Sequence, residues 1–268
     1  DDSNNTFGKR CFINDFWRSY TMWKKLVMFL LVSVFSLSVG FNQSAYAEWY
    51  VGGAVGVAIP HNVDDLAVSG SGFSVDISSF SPDTAFTGGI KGGYFFESIP
   101  YLGAEINWSM SAPDVDKETI TATITGTPTG AFLGRTTGDF LGSVDVDSVS
   151  SFGFLAMLRP TDEDAKAKYN GIQPFLGLGF TISTLDVNSV TVFNTAGTQL
   201  GTTANSDSST DVGFLLSTGL NYIVSDNIKV YSEYKFQTVE HTLTMDTGVD
   251  AKLTSESSSV VFGVSYSF

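Results

Sequence analysis

"VVFGVSYSF", Val260 to Phe268, sets large apolar side chains at every second position, Val260, Phe262, Val264, Tyr266 and Phe268, against Ser259, Gly263, Ser265 and Ser267. Only Val261 breaks the alternation. A period of two belongs to a β-strand, whose successive side chains point to opposite faces. This strand therefore has one apolar face and one small, polar face. A soluble sandwich would turn the apolar face to its core, and a membrane sheet would turn it to lipid, so the rest of the chain must decide.

The 268 residues contain 27 Gly, 22 Phe, one Cys and 16% charged residues, a profile unlike that of an ordinary soluble enzyme. Near the start, "MWKKLVMFLLVSVFSLSVGFNQSAYA" (22–47) runs from Lys24 and Lys25 through an apolar stretch, Leu26 to Phe41, to Ala45 and Ala47. This is the three-part layout of a secretory signal peptide with cleavage after Ala47, and the serines at 33, 36 and 38 make it too broken for a spanning helix. Residues 1–21 precede the first methionine and are expected to be an upstream leader outside the functional protein. The expected domain is then 48–268, which has no cysteine. It holds 25 of the 28 acidic and 9 of the 14 basic residues, a net charge of −16, so nucleic acid is excluded as a partner. No stretch after Phe41 is long and apolar enough for a helix to cross a membrane, and only helices and closed barrels satisfy the backbone in lipid.

Outward from the last strand, seven more segments alternate in the same way: 49–59, 84–96, 101–110, 148–159, 172–183, 211–224 and 228–237. In the third, Leu102, Ala104, Ile106, Trp108 and Met110 oppose Gly103, Glu105, Asn107 and Ser109. The lengths suit tilted membrane strands. The minority face repeats Gly and carries Lys91, Glu105, Arg159, Glu233 and Lys235, charges that a sandwich core would not accept unpaired. Such a face is what the narrow interior of an eight-stranded barrel holds. Trp49, Tyr94, Phe96, Trp108, Tyr222 and Phe268 gather toward segment ends, as interfacial girdles do. Connections alternate between short (97–100, 160–171, 225–227) and long, acidic ones (60–83, 112–147, 186–210, 239–254). Short periplasmic turns and long extracellular loops alternate in this way around outer-membrane barrels.

These features resemble the small eight-stranded outer-membrane β-barrels of Gram-negative bacteria, which include the OmpA transmembrane domain, Opa-like proteins and surface-antigen-like porins. "GGIKGGYFF", "YLGAEINW", "QPFLGLGF" and the aromatic ending carry the likeness, which spans Glu48 to Phe268. It implies an all-β, transmembrane, antiparallel up-and-down barrel in the cell outer membrane, in contact with lipid and lipopolysaccharide. It also implies that the barrel-assembly machinery reads Val260, Phe262, Val264, Tyr266 and Phe268 during biogenesis. The chain departs from full-length OmpA in showing no peptidoglycan-binding domain after Phe268, so a cell-wall anchoring role is not implied.

The two histidines, His61 and His241, fall at the ends of long loops; no Ser or Asp stands close to His241 in a catalytic pattern, and a solvated loop histidine is expected there. No enzyme activity, cofactor, metal or catalytic residue is expected. An enzyme acting on lipid A or peptides ranks below the other readings. Asp64 with Asp65 and Asp114 with Asp116 lie outside any EF-hand pattern and are expected to be surface charge. The inward charges at 91, 105, 159, 233 and 235 are expected to pair and fill the lumen. The expectation is a surface protein whose loops meet host-cell or phage partners, with a narrow porin-like channel for small solutes as the alternative.

Overall fold

The computed structural model describes residues 48–61, 66–70, 73–77, 82–113, 115–126, 138–193, 199–203, 207–245 and 249–268. The expected leader (1–21) and signal peptide (22–47) lie outside the described residues, as do Asp64, Asp65 and Asp114. In chain order the elements are β1 (Glu48–Pro60), β2 (Leu66–Gly70), β3 (Phe73–Ile77), β4 (Ala85–Phe96), β5 (Ile99–Ser111), β6 (Val115–Gly126) and β7 (Gly138–Leu158). There follow α1 (Asp162–Tyr169), β8 (Ile172–Phe193), β9 (Gln199–Thr203), β10 (Asp207–Ile223), β11 (Ile228–Met245) and β12 (Val249–Ser267).

Eight of these strands, all antiparallel to their neighbours, close a ring in the order β1, β4, β5, β7, β8, β10, β11, β12. The seam joins the first strand to the last, from Tyr50 opposite Ser267 to Pro60 opposite Ser257, and the Phe268 amide donates to Trp49 O at 2.9 Å. Leu176, Leu178, Phe180, Val264 and Phe262 stand exposed on the outside, while Thr181, Ser217, Glu105 and Glu233 are buried within. The molecule is apolar outside and polar inside, the arrangement of a barrel in lipid. Rings of Trp49, Tyr94 and Phe96, and of Tyr266 and Phe268, touch in a belt at the periplasmic end.

The expected loops are more ordered than the sequence suggested. β7, β8, β10, β11 and β12 run on above the apolar band, and β2, β3 and β6 pair in the order β12, β2, β3, β6, β7. Five continuing strands and three loop strands thus form a collar on the extracellular end, in which the β10–β11 ladder stops at Gly213 opposite Val239 and the Thr242 amide donates to the Ser209 hydroxyl at 3.2 Å. The alternation reverses there. On β8 the outward row Leu176, Leu178, Phe180, Ile182 gives way to Thr184 and Asp186, and the inward row Gly177, Gly179, Thr181, Ser183 gives way to buried Leu185 and Val187. On β11 the outward apolar row ends at Phe236, with Thr238 and exposed Glu240 above it, and Val239 and His241 are buried inside. A search for apolar-out strands therefore stops at the membrane surface, although the strands do not.

The connection at 160–171, expected as a turn, holds α1. Thr161 caps it, its hydroxyl accepting from the Asp164 amide at 3.2 Å, and Asn170 ends it in the left-handed region at φ 52°. Acidic residues fill its first turn and Lys166 and Lys168 its last, complementing the helix dipole. Lys166 reaches Asp226 in the next periplasmic turn at 2.6 Å. These exposed pairs lower the Asp164 and Asp226 carboxyls and raise both lysines, in each case mainly through the hydrogen bond between partners.

Candidate functional site

The lumen is built from inward positions of the membrane band, and its charges fall in two layers. In the middle layer Lys91 of β4 lies 2.9 Å from Glu233 of β11 and 3.4 Å from Glu105 of β5. Tyr50 of β1 donates to Glu105 at 2.6 Å, and Ser217 of β10 donates to Glu233 at 2.7 Å. Lys235 approaches Glu233 at 3.7 Å, so two cations meet two carboxylates. The Lys91 ammonium also sits 4.0 Å from the Tyr231 ring centre and 5.1 Å from that of Phe175.

Glycines make room for this packing. A Cβ at Gly93 would lie 2.5 Å from the Tyr50 ring, and one at Gly219 would lie 2.7 Å from the Phe175 ring. Small residues on the inner face are thus what lets Tyr50 cross the lumen to Glu105.

Arg159 does not join the other four expected lumen charges. It belongs to a lower layer at the periplasmic mouth, where its guanidinium meets Glu48 of β1 and lies 3.6 Å from Asp162 of α1. Lys229 of β11 bridges the same carboxylates, at 2.6 Å to Glu48 and 2.9 Å to Asp162, and Ser267 donates to Glu48 at 2.7 Å. Gln173, fully buried, accepts from Arg159 and Asn221, each at 3.1 Å, and donates to Asp162 at 2.8 Å. The Arg159 guanidinium stacks 3.7 Å above the Phe95 ring centre. This layer also holds two cations and two carboxylates.

Sequence reasoning missed Glu48, Asp162 and Lys229. Lys229 had the inward parity that marked the others, whereas Asp162 lay in a supposed turn and Glu48 at the edge of the first strand. Cavities of about 20 Å³ flank Lys91, one bordered by both layers and one by Glu233, Lys235 and Thr87. Each has room for about one water molecule.

His241 is not a solvated loop residue. His241 is 1% exposed inside the collar on β11, its Nδ1 3.3 Å from Asp211 of β10, and Asp211 accepts from Ser209. Burial lowers the His241 imidazole below its ordinary value of 6.5, with Asp211 opposing. The Ser209 hydroxyl and the Thr242 amide help hold the Asp211 carboxyl below its ordinary value. His61 lies just past β1, its side chain 42% exposed on the outer wall. Among the described residues no group of three or more His, Cys, Asp or Glu is placed to hold a metal ion.

The profile of a family described as outer membrane protein beta-barrel domain matches residues 27–268. No curated protein sequence matches the chain. Solved structures similar to it include neisserial surface protein A, 15% identical over 82% of this chain and 97% of that one, with a TM-score of 0.46. OprG from Pseudomonas aeruginosa is 12% identical over 83% and 96%, with a TM-score of 0.44. Ail, the attachment invasion locus protein of Yersinia pestis, is 12% identical over 82% and 98%, with a TM-score of 0.34.

Proposed function

The chain belongs to the outer membrane protein beta-barrel domain family and resides in the outer membrane of a Gram-negative bacterium, and from that premise we propose that it acts as a closed scaffold holding an acidic collar and its loops at the cell surface. The observation that carries this reading is the pair of charge-balanced layers across the lumen, with Lys91, Glu105, Arg159, Glu233 and Lys229 all nine-tenths buried or more. A path for ions would have to break both layers, and each buried charge stripped of its partner costs several kcal/mol. The outward face of the collar offers Asp145, Asp147, Glu240, Lys252 and the threonines at 119, 121, 123 and 125. Partners of this face, on host cells or phage, are then cationic or polyhydroxylated rather than polyanionic.

Conductance in planar bilayers tests the scaffold against the narrow channel. The scaffold gives no stable single-channel steps. Steps that vanish or change size in Lys91→Met would replace it with the channel reading.

We propose two further roles in biogenesis. Residues 22–47 direct export and are cleaved after Ala47, 1–21 lie upstream of the functional protein, and 48–268 form the barrel. Val260, Phe262, Val264, Tyr266 and Phe268 are the strand that the barrel-assembly machinery recognises. Removal of Phe268 is expected to slow assembly in cells more than it lowers the stability of folded barrel in detergent, and equal loss of both would argue against recognition.

A further inference from the structure

At the upper rim of the apolar band, on the outer wall where β1, β12 and β11 meet, four polar side chains form a chain of contacts. The Ser258 hydroxyl lies 2.9 Å from His61 Nε2, and the Tyr234 hydroxyl lies 2.8 Å from the Ser258 hydroxyl. His61 Nδ1 faces Glu256 Oε2 at 3.9 Å. The backbone fixes the set, because the His61 amide donates to Glu256 O at 2.8 Å and Ile59 pairs with Ser258 across the seam. The Phe236 ring, its centre 5.9 Å from that of the imidazole, lies against His61.

With the His61 proton on Nδ1, Nε2 accepts from the Ser258 hydroxyl, which leaves the Ser258 oxygen to accept from Tyr234. A serine bonded to an imidazole with a carboxylate on the far side of the ring is the layout that activates a hydroxyl nucleophile.

We propose that Ser258, His61, Glu256 and Tyr234 form an esterase site on the lipid-facing wall, acting on acyl esters of amphiphiles in the outer leaflet. This goes beyond the scaffold reading and holds whether or not the lumen conducts. The bilayer stands in for a cleft. Val260 and Phe262 lie below Ser258 on β12 and Glu256 and Thr254 above it, so the site marks the step from hydrocarbon to headgroup, where ester carbonyls reside.

The Ser258 oxygen attacks the carbonyl carbon and its proton passes to His61 Nε2, while the oxyanion accepts from the Tyr234 hydroxyl. The C–O bond to the alcohol breaks, and the alcohol leaves with the proton from His61. Water then attacks the acyl-serine with His61 again as base, and the proton returns to Ser258 as the carboxylic acid departs. Ser258 is 6% exposed, so attack requires His61 and Tyr234 to part. Their side chains stand partly free on the wall. The 3.9 Å from Nδ1 to Glu256 is longer than a hydrogen bond, and the proposed step requires it to close when substrate binds.

The test uses the full chain in detergent, its folding checked by heat-modifiable migration, with three probes: p-nitrophenyl hexadecanoate, phosphatidylethanolamine and lipid A. Release of carboxylic acid from any of them is expected, and the two lipids identify which leaflet ester serves. Ser258→Ala and His61→Gln are expected to cut turnover at least about 1,000-fold, and Tyr234→Phe about 100-fold. Glu256 positions His61 without touching substrate. Glu256→Gln is therefore expected to lower kcat with little change in KM and to shift the limb of the pH–rate profile set by His61. A fluorophosphonate is expected to label wild type at Ser258. Folded protein that neither hydrolyses any probe nor takes the label overturns the proposal. So does turnover undiminished in Ser258→Ala, and so does a Ser258→Ala variant that loses only stability.

Discussion

Two regions of the same strands, the membrane band and the collar above it, obey opposite rules. In the band β8 turns Leu176, Leu178 and Phe180 outward and Gly177, Gly179 and Thr181 inward, whereas in the collar it turns Thr184 and Asp186 outward and Leu185 and Val187 inward. The backbone ladder is unbroken across the change, with Phe180 and Leu185 both paired to β10. Strand formation thus follows from the period of two alone, and the sign of the alternation records which solvent lies outside. The interiors differ accordingly: the band closes on paired charges and the collar on aliphatic side chains around His241.

The largest expected effect comes from breaking the band's interior. Lys91→Met leaves Glu105 and Glu233 facing each other across the lumen with Lys235 as the nearest remaining cation, at a cost of about 3–5 kcal/mol. Chemical unfolding in detergent should show it. The triple change Lys91→Met, Glu105→Gln, Glu233→Gln made together with Lys235→Met removes every charge of the layer and should recover most of that loss. Equal loss in the single and the combined variant would mean that packing, and not charge pairing, holds the layer.

The two outer faces should respond differently to the same substitution. Leu178→Lys places a charge against lipid and should cost about 2–4 kcal/mol, falling with distance from the bilayer midplane. Thr184→Lys, six residues along the same row, should stay within about 0.5 kcal/mol. Similar costs at both sites would erase the boundary drawn between band and collar. On the inner face the contrast reverses, because Leu185→Ala empties part of the collar core and should cost about 2 kcal/mol or more.

The band was legible in the sequence because lipid demands that every outward position be apolar or small, and eight segments repeat that demand. Lys91, Glu105, Glu233 and Lys235 could be placed inside by parity, yet their grouping depends on strand stagger, which parity does not carry. Arg159 has the same parity and ends in the other layer. The collar was misread as loops for a physical reason: "TITATIT" (119–125) alternates as regularly as any band strand, but with its threonines outward and in a run no longer apolar enough to stand out. His61, Glu256 and Ser258 come together only across the barrel seam, 197 residues apart at the Ser258–His61 contact, and no local spacing announces them.

The smallest effect separates the two interiors by pH. His241 is held below its ordinary value of 6.5 by burial, so below pH 6.5 the unfolded chain binds a proton that the folded collar refuses. Stability must then fall with falling pH, beginning near 6.5 and ending once the folded imidazole itself is protonated. Asp211 gives a second loss lower down, since its carboxyl is held below 3.8 and its contribution disappears as pH drops through the folded value. Both groups sit above the apolar band, so the loss should appear as faster amide exchange in the upper halves of β10 and β11, with the band unchanged. His241→Asn should remove the first step and leave the second. Acid-induced exchange that spreads evenly over band and collar, or that persists near pH 6 in His241→Asn, would show that the collar's interior is not what senses the proton.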